Sequence, residues 1–400
     1  MAAASSAELD LAIACCRWPR SPGRDGAVRE AAARVTDWHR FERLVARHRI
    51  APLAHDGLAC ATIELPPQNR ERLATRAAAG ALNSLALVRE SVRLQRAFAA
   101  AGIPALIIKG AAVGYLAYGD VGMKESWDID LLTSPEELAG AHSVMQSLGY
   151  ELVYPKGLDG AQLRRFERYA IESVYRHRNS GLSVELHWRV THNRRLLPGV
   201  GVASAAQRIG PTGAELLTFD DDILFAYLCV HGTRHGWVRL KWLADVGALI
   251  AGRSEDELER LHGAAVAAGA GRAPGATLLL CRKLLGTPIP ANLARRLEAD
   301  RRTRFLETTA LALIRGRWEP SGTINWPPLR WIWSKFIVAP GPAYWREEMR
   351  NLWDRPMDRV RFGAPLAGLL FHLLRIPLFL ARLTVRARNR LAGQLKAGAG

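Results

Sequence analysis

Three acidic residues in two short apolar runs have the residue types and spacing of a metal site. Asp128 and Asp130 are separated by one residue within WDIDLL, and Glu185 lies within LSVELHW. Successive side chains of a β-strand point to opposite faces, so the two aspartates share one face of a predicted strand. Carboxylates that meet on neighbouring strands raise each other's pKa unless a cation neutralises them. The pattern therefore predicts a site for Mg²⁺ or Mn²⁺, which prefer oxygen ligands.

The sequence leaves other interpretations of these residues open. The aspartate pair also fits a turn or a salt-bridged surface strand, although the apolar neighbours Ile129 and Leu131 favour a packed strand. Glu185 also fits an exposed sheet face that tolerates any acid. His187 shares the predicted face of Glu185, where it either contacts the metal cluster or a substrate, or packs as a structural histidine.

A candidate phosphate-binding turn precedes the acids. The apolar run Ile103 to Ile108 ends in Lys109-Gly110 and continues into the helix-like AAVGYLAY. A glycine turn at a helix N-terminus presents backbone N–H groups and the positive end of the helix dipole to an anion. Lys109 adds a point charge suited to a phosphate. A plain strand-to-helix turn would explain the Lys-Gly pair equally well.

The loop before the acids carries two further candidates for contact with a triphosphate. Lys124 and Ser126 lie within MKESW, immediately before the predicted strand. For Lys124 a solvated position in the loop is the alternative.

The order Lys-Gly, helix, polar loop and Ser-x-Asp-Ile-Asp-Leu resembles the nucleotidyltransferase fold of the DNA polymerase beta superfamily. It is especially similar to a group of uncharacterised bacterial nucleotidyltransferases found beside exopolysaccharide and peptide-maturation genes, and more distantly to abortive-infection toxin-type enzymes. The resemblance continues through Glu-Leu-His-Trp and the segment Leu228 to Val246, and covers about residues 80–300. It implies that Asp128, Asp130 and Glu185 hold the metal ions and carry catalysis.

The resemblance also implies the reaction. The expected activity is metal-dependent transfer of a nucleoside monophosphate from an NTP, with ATP expected, to an acceptor hydroxyl with release of pyrophosphate. The acceptor remains open between a sugar, a peptide, a protein and RNA, and the pathway is expected in exopolysaccharide or peptide maturation. In the resembled group the later helical region lies beside the catalytic sheet, so His231, Lys241 and Asp245 are expected at the nucleotide cleft.

One departure from the superfamily pattern supports a second functional class. The superfamily commonly has Gly-Ser or Gly-Gly at the phosphate turn, whereas here Gly110 is followed by Ala111 and Ala112. The alternative function is a catalytically weak or inactive nucleotide-binding adaptor that acts at the membrane surface.

The predicted fold class is α+β, with a small mixed β-sheet embedded in a mostly α-helical chain. We expect an N-terminal helical region at 1–100, an α/β catalytic domain at 101–190, a helical domain flanking the cleft at 191–300, and a basic, Trp-rich helical region at 301–400. The first region is interpreted as a helical cap without chemistry. A hairpin with its turn at Arg178 to Gly181 is predicted to close the sheet.

Composition limits the partners and the compartment. The chain has 49% hydrophobic and 23% charged residues, as globular proteins do, and a net charge of +17. From Arg301 onward it carries 18 Lys and Arg against 6 Asp and Glu, so the charge lies far from the acids. This distribution argues against a duplex DNA partner. Five cysteines without zinc or redox spacing, and no visible secretory signal, predict a cytoplasmic protein.

The final hundred residues differ from the rest of the chain. Six of the twelve tryptophans fall between Trp318 and Trp353, and an apolar run from Phe362 to Leu374 follows that is too short to span a bilayer. Trp and Arg beside an apolar helix suit an anionic membrane surface, which predicts a peripheral location at the inner membrane. A helix packed on the globular body, or stacking of single-stranded nucleic acid, are the alternatives.

Overall fold

The computed structural model describes residues 6–213, 215–316, 328–353 and 356–361. The helices in these residues are α1 (Ala7–Cys15), α2 (Pro22–Ala32), α3 (Trp38–His48), α4 (Ala51–Cys60), α5 (Pro67–Ala100), α6 (Ala111–Tyr118), α7 (Leu138–Ser147), α8 (Gly160–Tyr169), α9 (Asp221–Arg234), α10 (Leu240–Leu249), α11 (Glu255–Ala265), α12 (Ala273–Leu280), α13 (Ala291–Ala299), α14 (Arg301–Arg315), α15 (Leu329–Phe336), α16 (Pro342–Trp353) and α17 (Pro356–Arg361). The strands are β1 (Leu106–Ile107), β2 (Asp128–Leu132), β3 (Tyr150–Tyr154), β4 (Glu172–His177), β5 (Ser183–His187), β6 (Ala206–Ile209) and β7 (Leu216–Phe219).

The main sheet has five strands in the order β1-β2-β5-β4-β3. Strands β2 and β5 are parallel, and the other neighbours are antiparallel. Strands β4 and β5 form the predicted hairpin around the turn at Arg178 to Gly181. The sheet is therefore mixed and small, and helices make up most of the described chain, which confirms the predicted α+β class.

The two faces of the sheet pack against different helices. Ile129 and Leu131 of β2 and Val184 and Leu186 of β5 are fully buried with apolar residues of α5 and α7. Because side chains alternate along a strand, Asp128, Asp130, Glu185 and His187 lie on the opposite face. The alternation of apolar and acidic residues in WDIDLL and LSVELHW thus fixes which face is core and which face is free for chemistry.

A second buried cluster joins the helices that cover the acidic face. It contains residues of α1 to α4 together with residues of α9, α10 and α12, so the N-terminal region packs directly against the later helical region. The domain boundaries at 100, 190 and 300 stay predictions.

Strand β1 is much shorter than the predicted strand from Ile103 to Ile108. Only Leu106 and Ile107 pair with β2, with Leu132 and Leu131 respectively. Pro104 has no backbone N–H to donate to a ladder, and Ile108 is already at the turn that leads into α6. The short strand still delivers Lys109 and Gly110 to the edge of β2.

Two regions differ from expectation or lie outside the described chain. The predicted helical region 191–300 also contains a short hairpin, because β6 pairs with β7 around a turn of Gly and Pro residues. The apolar run Phe362 to Leu374 lies outside the described residues. Within the part that is described, no helix combines the length and apolar character that crossing a membrane requires.

Candidate active site

Parallel pairing of β2 with β5 brings the predicted acids together. Asp130 pairs with Glu185 in the register of the two strands. Two residues earlier on each strand, Asp128 pairs with Ser183. All three acids line one cavity of about 280 Å³ between the sheet and helices α9 and α10. The cavity is therefore built on the free face of the sheet, at the point where the acid-bearing strands run side by side.

Asp130 is the most constrained of the acids. It is 3% exposed, and its Oδ1 lies 2.5 Å from Nζ of Lys109 and 3.2 Å from Nε2 of His187. Burial alone would raise the pKa of this carboxyl, but the charges of Lys109 and His187 outweigh it and hold the pKa well below its usual range. Asp130 therefore stays ionised at the centre of the cluster.

His187 connects the acids of two strands. Its Nε2 is also 3.5 Å from Oε2 of Glu185, and its Nδ1 is 3.3 Å from Oε2 of Glu172, its register partner on β4. Burial lowers the pKa of His187, but Glu172 and the hydrogen bonds to Asp130 and Glu185 raise it to about 10. The imidazole therefore carries a proton at neutral pH in this arrangement and balances part of the acidic charge.

The donor set of the cluster fits a divalent cation. Potential ligand atoms of Asp130, Glu185 and His187 all lie within 4.8 Å of one another. Nδ1 of His187 lies near Glu172 but makes no hydrogen bond to a described residue. Asp128 lines the same cavity, and its pKa is raised by burial first and by Asp130 second. A cation would relieve that repulsion, and two carboxylates with one imidazole are ordinary ligands for one.

The phosphate turn has a backbone that requires glycine. Gly110 adopts φ 54° and ψ −116°, which side chains with a Cβ disfavour, and it caps the N-terminus of α6. A Cβ at this position would lie 3.6 Å from the carbonyl oxygen of Asp128 and 3.9 Å from Oγ of Ser126. The hydroxyl of Ser126 therefore lies beside the turn, although Ala111 and Ala112 provide none.

Lysines approach the cavity from the helical side. Nζ of Lys124 forms a buried ion pair with Asp245, which also accepts a hydrogen bond of 3.1 Å from the hydroxyl of Tyr118. Lys124 is thus 7% exposed and is not the solvated loop residue of the alternative interpretation. Asp245 holds this lysine in place at the cavity wall.

Lys241 differs from Lys124 because no ion pair to it is found in the described chain. Its Nζ donates to the carbonyl oxygen of Glu125 at 3.3 Å. Burial, followed by the charges of Lys124 and Arg49, lowers the pKa of Lys241 to about 7. Lys124, Lys241 and Arg49 all line the cavity, and their positive charges favour an anion there.

Arg49 shows that the N-terminal region contributes to the site, contrary to its interpretation as a cap without chemistry. Nδ1 of the neighbouring His48 accepts a 3.2 Å hydrogen bond from the backbone N–H of Leu240, which fixes the end of α3 against the start of α10. Arg49 follows in a left-handed conformation and lines the cavity, with its guanidinium 3.5 Å from the ring centroid of Trp127.

Four aromatic rings form one wall of the cavity, which we call the ring ladder: Tyr227, His231, His235 and Trp242. The first three recur every four residues, which places them on one helical face. Neighbouring ring centroids lie 6.0 Å apart for Tyr227 and His231, 4.6 Å for His231 and His235, and 5.1 Å for His235 and Trp242. Burial and then Lys109 lower the pKa of His231 well below its usual value, so this ring is uncharged.

Helix α16 fixes an arginine of the cavity wall. Glu348 is 1% exposed, and its carboxylate accepts hydrogen bonds from Nη1 of Arg234 at 2.7 Å and from Nδ2 of Asn193 at 2.9 Å. Nδ2 of Asn351 donates to the carbonyl oxygen of His192 at 3.0 Å. The tail therefore braces the segment that follows β5.

The structure brings every candidate residue from the sequence to the same cavity; these are Lys109, Gly110, Lys124, Ser126, Asp128, Asp130, Glu185, His187, His231, Lys241 and Asp245. Sequence reasoning missed Arg49, Glu172, His235 and Trp242, which also line it. For Glu172 a signal existed, because the register of the predicted hairpin pairs it with His187. For Arg49 no local pattern indicates the site, because tertiary packing alone brings it there.

Comparison with known families agrees with this geometry. The model of a family described as uncharacterised nucleotidyltransferases matches residues 34–286, which is more than half of the chain. The chain therefore belongs to this family, as its motifs indicate, and an NTP is its implied substrate. No curated protein and no solved structure matches the chain significantly. The finer likeness to bacterial and toxin-type enzymes stays a prediction.

Proposed function

We propose that this nucleotidyltransferase transfers a nucleoside monophosphate from an NTP, with ATP expected, to an acceptor hydroxyl and releases pyrophosphate. The observation that carries the proposal is the pairing of Asp130 with Glu185 in one cavity with a glycine turn and lysines. In the reaction the acceptor oxygen bonds to the α-phosphorus, and the bond from that phosphorus to the pyrophosphate oxygen breaks. The proton of the acceptor hydroxyl must pass to a base.

The residues of the cavity form two groups with different roles in this reaction. Asp130 and Glu185 would hold a divalent cation, Mg²⁺ or Mn²⁺, with Asp128 beside them, and His187 would join them as a ligand once its ring has lost its extra proton to solvent. Such a cation screens the negative charge of the phosphates and of the departing pyrophosphate. We assign Asp128 to accept the acceptor proton, because it lines the cavity beside the cluster and burial raises the pKa of its carboxyl, which strengthens it as a base.

The phosphates are held from the opposite side. Backbone N–H groups at the Gly110 turn and the N-terminus of α6 face an anion favourably. Lys241, Lys124 and Arg49 line the same cavity and supply positive charge where the pyrophosphate would carry its negative charge. Fixed charges of this kind lower a barrier because they need no rearrangement during the reaction.

The alternative of an inactive nucleotide-binding adaptor rests on the missing hydroxyl after Gly110. The position of Ser126 weakens that argument, because its hydroxyl lies beside the turn. The two functions differ in one measurable product. An adaptor binds NTP without releasing pyrophosphate, whereas the transferase releases one pyrophosphate for each acceptor modified.

The experiment is a pyrophosphate assay with each of the four NTPs in the presence of fractionated cell extract, with Mg²⁺, Mn²⁺ or chelator. We expect extract-dependent and metal-dependent release by the wild type and none above background by Asp128→Asn. Binding of NTP without release in every fraction would support the adaptor. The extract fraction that stimulates release would then identify the acceptor class among sugar, peptide, protein and RNA.

The basic tail is proposed to contact an anionic membrane surface. Support comes from exposed apolar side chains on α15 and α16, of which Leu329 is 75% exposed and Trp333 is 63% exposed. Aromatic and basic residues together suit the lipid headgroup region. Flotation of the full chain with vesicles that contain anionic lipid, but not with zwitterionic vesicles, is expected; equal behaviour with both would exclude this contact.

A further inference from the structure

The outer part of the ring ladder has features of a binding surface for a flat ring. Along the ladder, exposure rises from Tyr227, which is 2% exposed, through the half-buried His231 to the exposed His235. Trp242 on the next helix packs beside His235 at a ring tilt of 37° and is itself half-buried. His235 therefore keeps open surface within the cavity and Trp242 keeps part of its surface, while Tyr227 is covered.

The inner ring positions support the outer ones. His231 contacts both Trp242, at 5.6 Å with an edge-to-face angle of 84°, and His235, at 4.6 Å. A side chain packed on two neighbours loses rotamer freedom before a ligand arrives, and a pre-formed surface costs less on binding. The wall is thus a built feature of the cavity rather than a chance group of surface aromatics.

The chemistry of the wall selects against an anion and for an uncharged aromatic ligand. The ladder supplies ring faces and neutral nitrogen atoms, whereas the cationic groups Lys109, Lys124 and Lys241 lie elsewhere around the same cavity. Lys241 directly precedes Trp242 on α10, so one of these lysines is next to the ring ladder. A ligand with a chain of phosphates at one end and a flat heterocycle at the other matches both.

We propose that His235 and Trp242 form the nucleobase subsite, where the base of the NTP stacks while its phosphates contact the lysines. This inference rests on the proposed function, since it assigns part of the same substrate. Bases of any identity have a face that stacks on aromatic side chains, so stacking alone gives affinity and little choice between bases. A ring of the acceptor molecule is the alternative ligand for these aromatic side chains.

The test compares binding of an NTP with binding of inorganic tripolyphosphate, which has the phosphates but no base. Calorimetry would be done on the wild type, Trp242→Ala and His235→Ala, with Trp333→Ala as the matched control. Trp333 is an exposed tryptophan of the tail that is not among the residues lining the cavity. Thermal unfolding of each variant would show that the fold is retained.

We expect Trp242→Ala to weaken NTP binding about tenfold, the order of effect for loss of one base–aromatic stack. Tripolyphosphate binding should change less than about twofold, and Trp242→Phe should restore most of the NTP affinity. Equal weakening of both ligands, or no weakening of either, would overturn the subsite. If Trp242→Ala lowered transfer without lowering NTP affinity, the ring ladder would be a binding surface for the acceptor instead.

Failure of the proposed transfer reaction would give a different result from failure of the nucleobase subsite. A protein without nucleotidyl transfer but with this subsite still binds NTP more tightly than tripolyphosphate, and Trp242→Ala removes the difference. A transferase without this subsite releases pyrophosphate normally in Trp242→Ala at low NTP concentration. The two assays therefore separate the two claims.

Discussion

Asp130 of β2 and Glu185 of β5 are direct register partners on adjacent parallel strands, and both carboxylates enter one cavity. Parallel neighbours place equivalent positions side by side, so two acids fifty-five residues apart become a single functional unit. Lys109 and His187 supply the counter-charges that let Asp130 stay ionised in a buried place. The charge balance of the cluster, more than any single residue, determines how substitutions behave.

Asp130→Asn is expected to lower both activity and stability. The substitution leaves the ammonium of Lys109, whose side chain is 16% exposed, without its 2.5 Å partner. Removing one member of a buried ion pair costs about 3 kcal/mol of unfolding free energy. Urea denaturation in the presence of chelator measures the loss; an unchanged midpoint would contradict the proposed charge balance.

Asp128→Asn is expected to abolish transfer while keeping or raising stability. Burial and Asp130 raise the pKa of Asp128, so its ionised form is disfavoured in the folded state. A carboxyl with a raised folded-state pKa destabilises the protein above that pKa, and the penalty disappears as the pH falls through it. Near pH 7 the variant should therefore be at least as stable as the wild type in chelator. A clear loss of stability would contradict the raised pKa.

NTP binding is expected to weaken as the pH rises above about 7, because the pKa of Lys241 is lowered to about 7. Only the protonated ammonium attracts phosphate, so affinity is retained below this pKa and falls by up to about tenfold per pH unit above it. Calorimetric titration with tripolyphosphate between about pH 7 and 9 measures this fall.

Lys241→Arg is the matched control for that titration. An arginine stays charged throughout the range, so the affinity of this variant should fall less with pH than that of the wild type. Equal pH dependence of the two proteins would show that Lys241 is not the group that titrates.

The parts of the site that depend on strand geometry could be predicted from the sequence. The alternation in WDIDLL and LSVELHW correctly predicts which residues share a face, and the turn at Arg178 to Gly181 correctly predicts the hairpin. Both are local properties of a pleated strand. The parallel pairing of β2 with β5 could not be read from either segment, because it depends on how the chain between them folds.

The remaining parts depend on tertiary packing. Arg49 reaches the cavity because His48 binds the start of α10, and the two residues are separated from that helix by nearly two hundred positions. Glu348 lies beyond the matched family region and reaches Arg234 through the packing of α16. The β6–β7 hairpin was missed because its Gly and Pro residues are typical of a linker as well as of a tight turn.

Glu348→Ala is expected to lower the free energy of unfolding by about 3 kcal/mol, because Arg234 and Asn193 lose a shared buried acceptor. Glu151→Ala is the control, since its ion pair with Arg178 is exposed on both sides, and it should change stability by less than about 0.5 kcal/mol. Similar effects of the two substitutions in urea denaturation would mean that the tail does not brace the cavity wall.

His48→Gln is expected to make the free energy of unfolding depend less on pH in the acid range. Burial, with smaller effects of Arg47 and Arg239, lowers the pKa of His48 from 6.5 to about 3. The unfolded chain therefore binds a proton that the folded chain does not, and stability falls as the pH drops from 6.5 towards 3. One such group contributes up to about 1.4 kcal/mol per pH unit.

Glutamine suits this test because its side-chain oxygen can still accept the hydrogen bond from Leu240. Unfolding free energies measured across that pH range should therefore show a smaller slope for the variant than for the wild type. Parallel curves would show that His48 does not titrate on unfolding.

The most direct test of nucleotidyl transfer follows the label of the NTP. Wild type and Asp128→Asn would be incubated with extract, divalent cation and ATP labelled at either the α- or the γ-phosphate, and acceptors separated from free nucleotide. We predict acceptor labelling from α-labelled ATP by the wild type only, and none from γ-labelled ATP. Labelling from the γ-phosphate, or equal α-labelling by Asp128→Asn, would contradict the account.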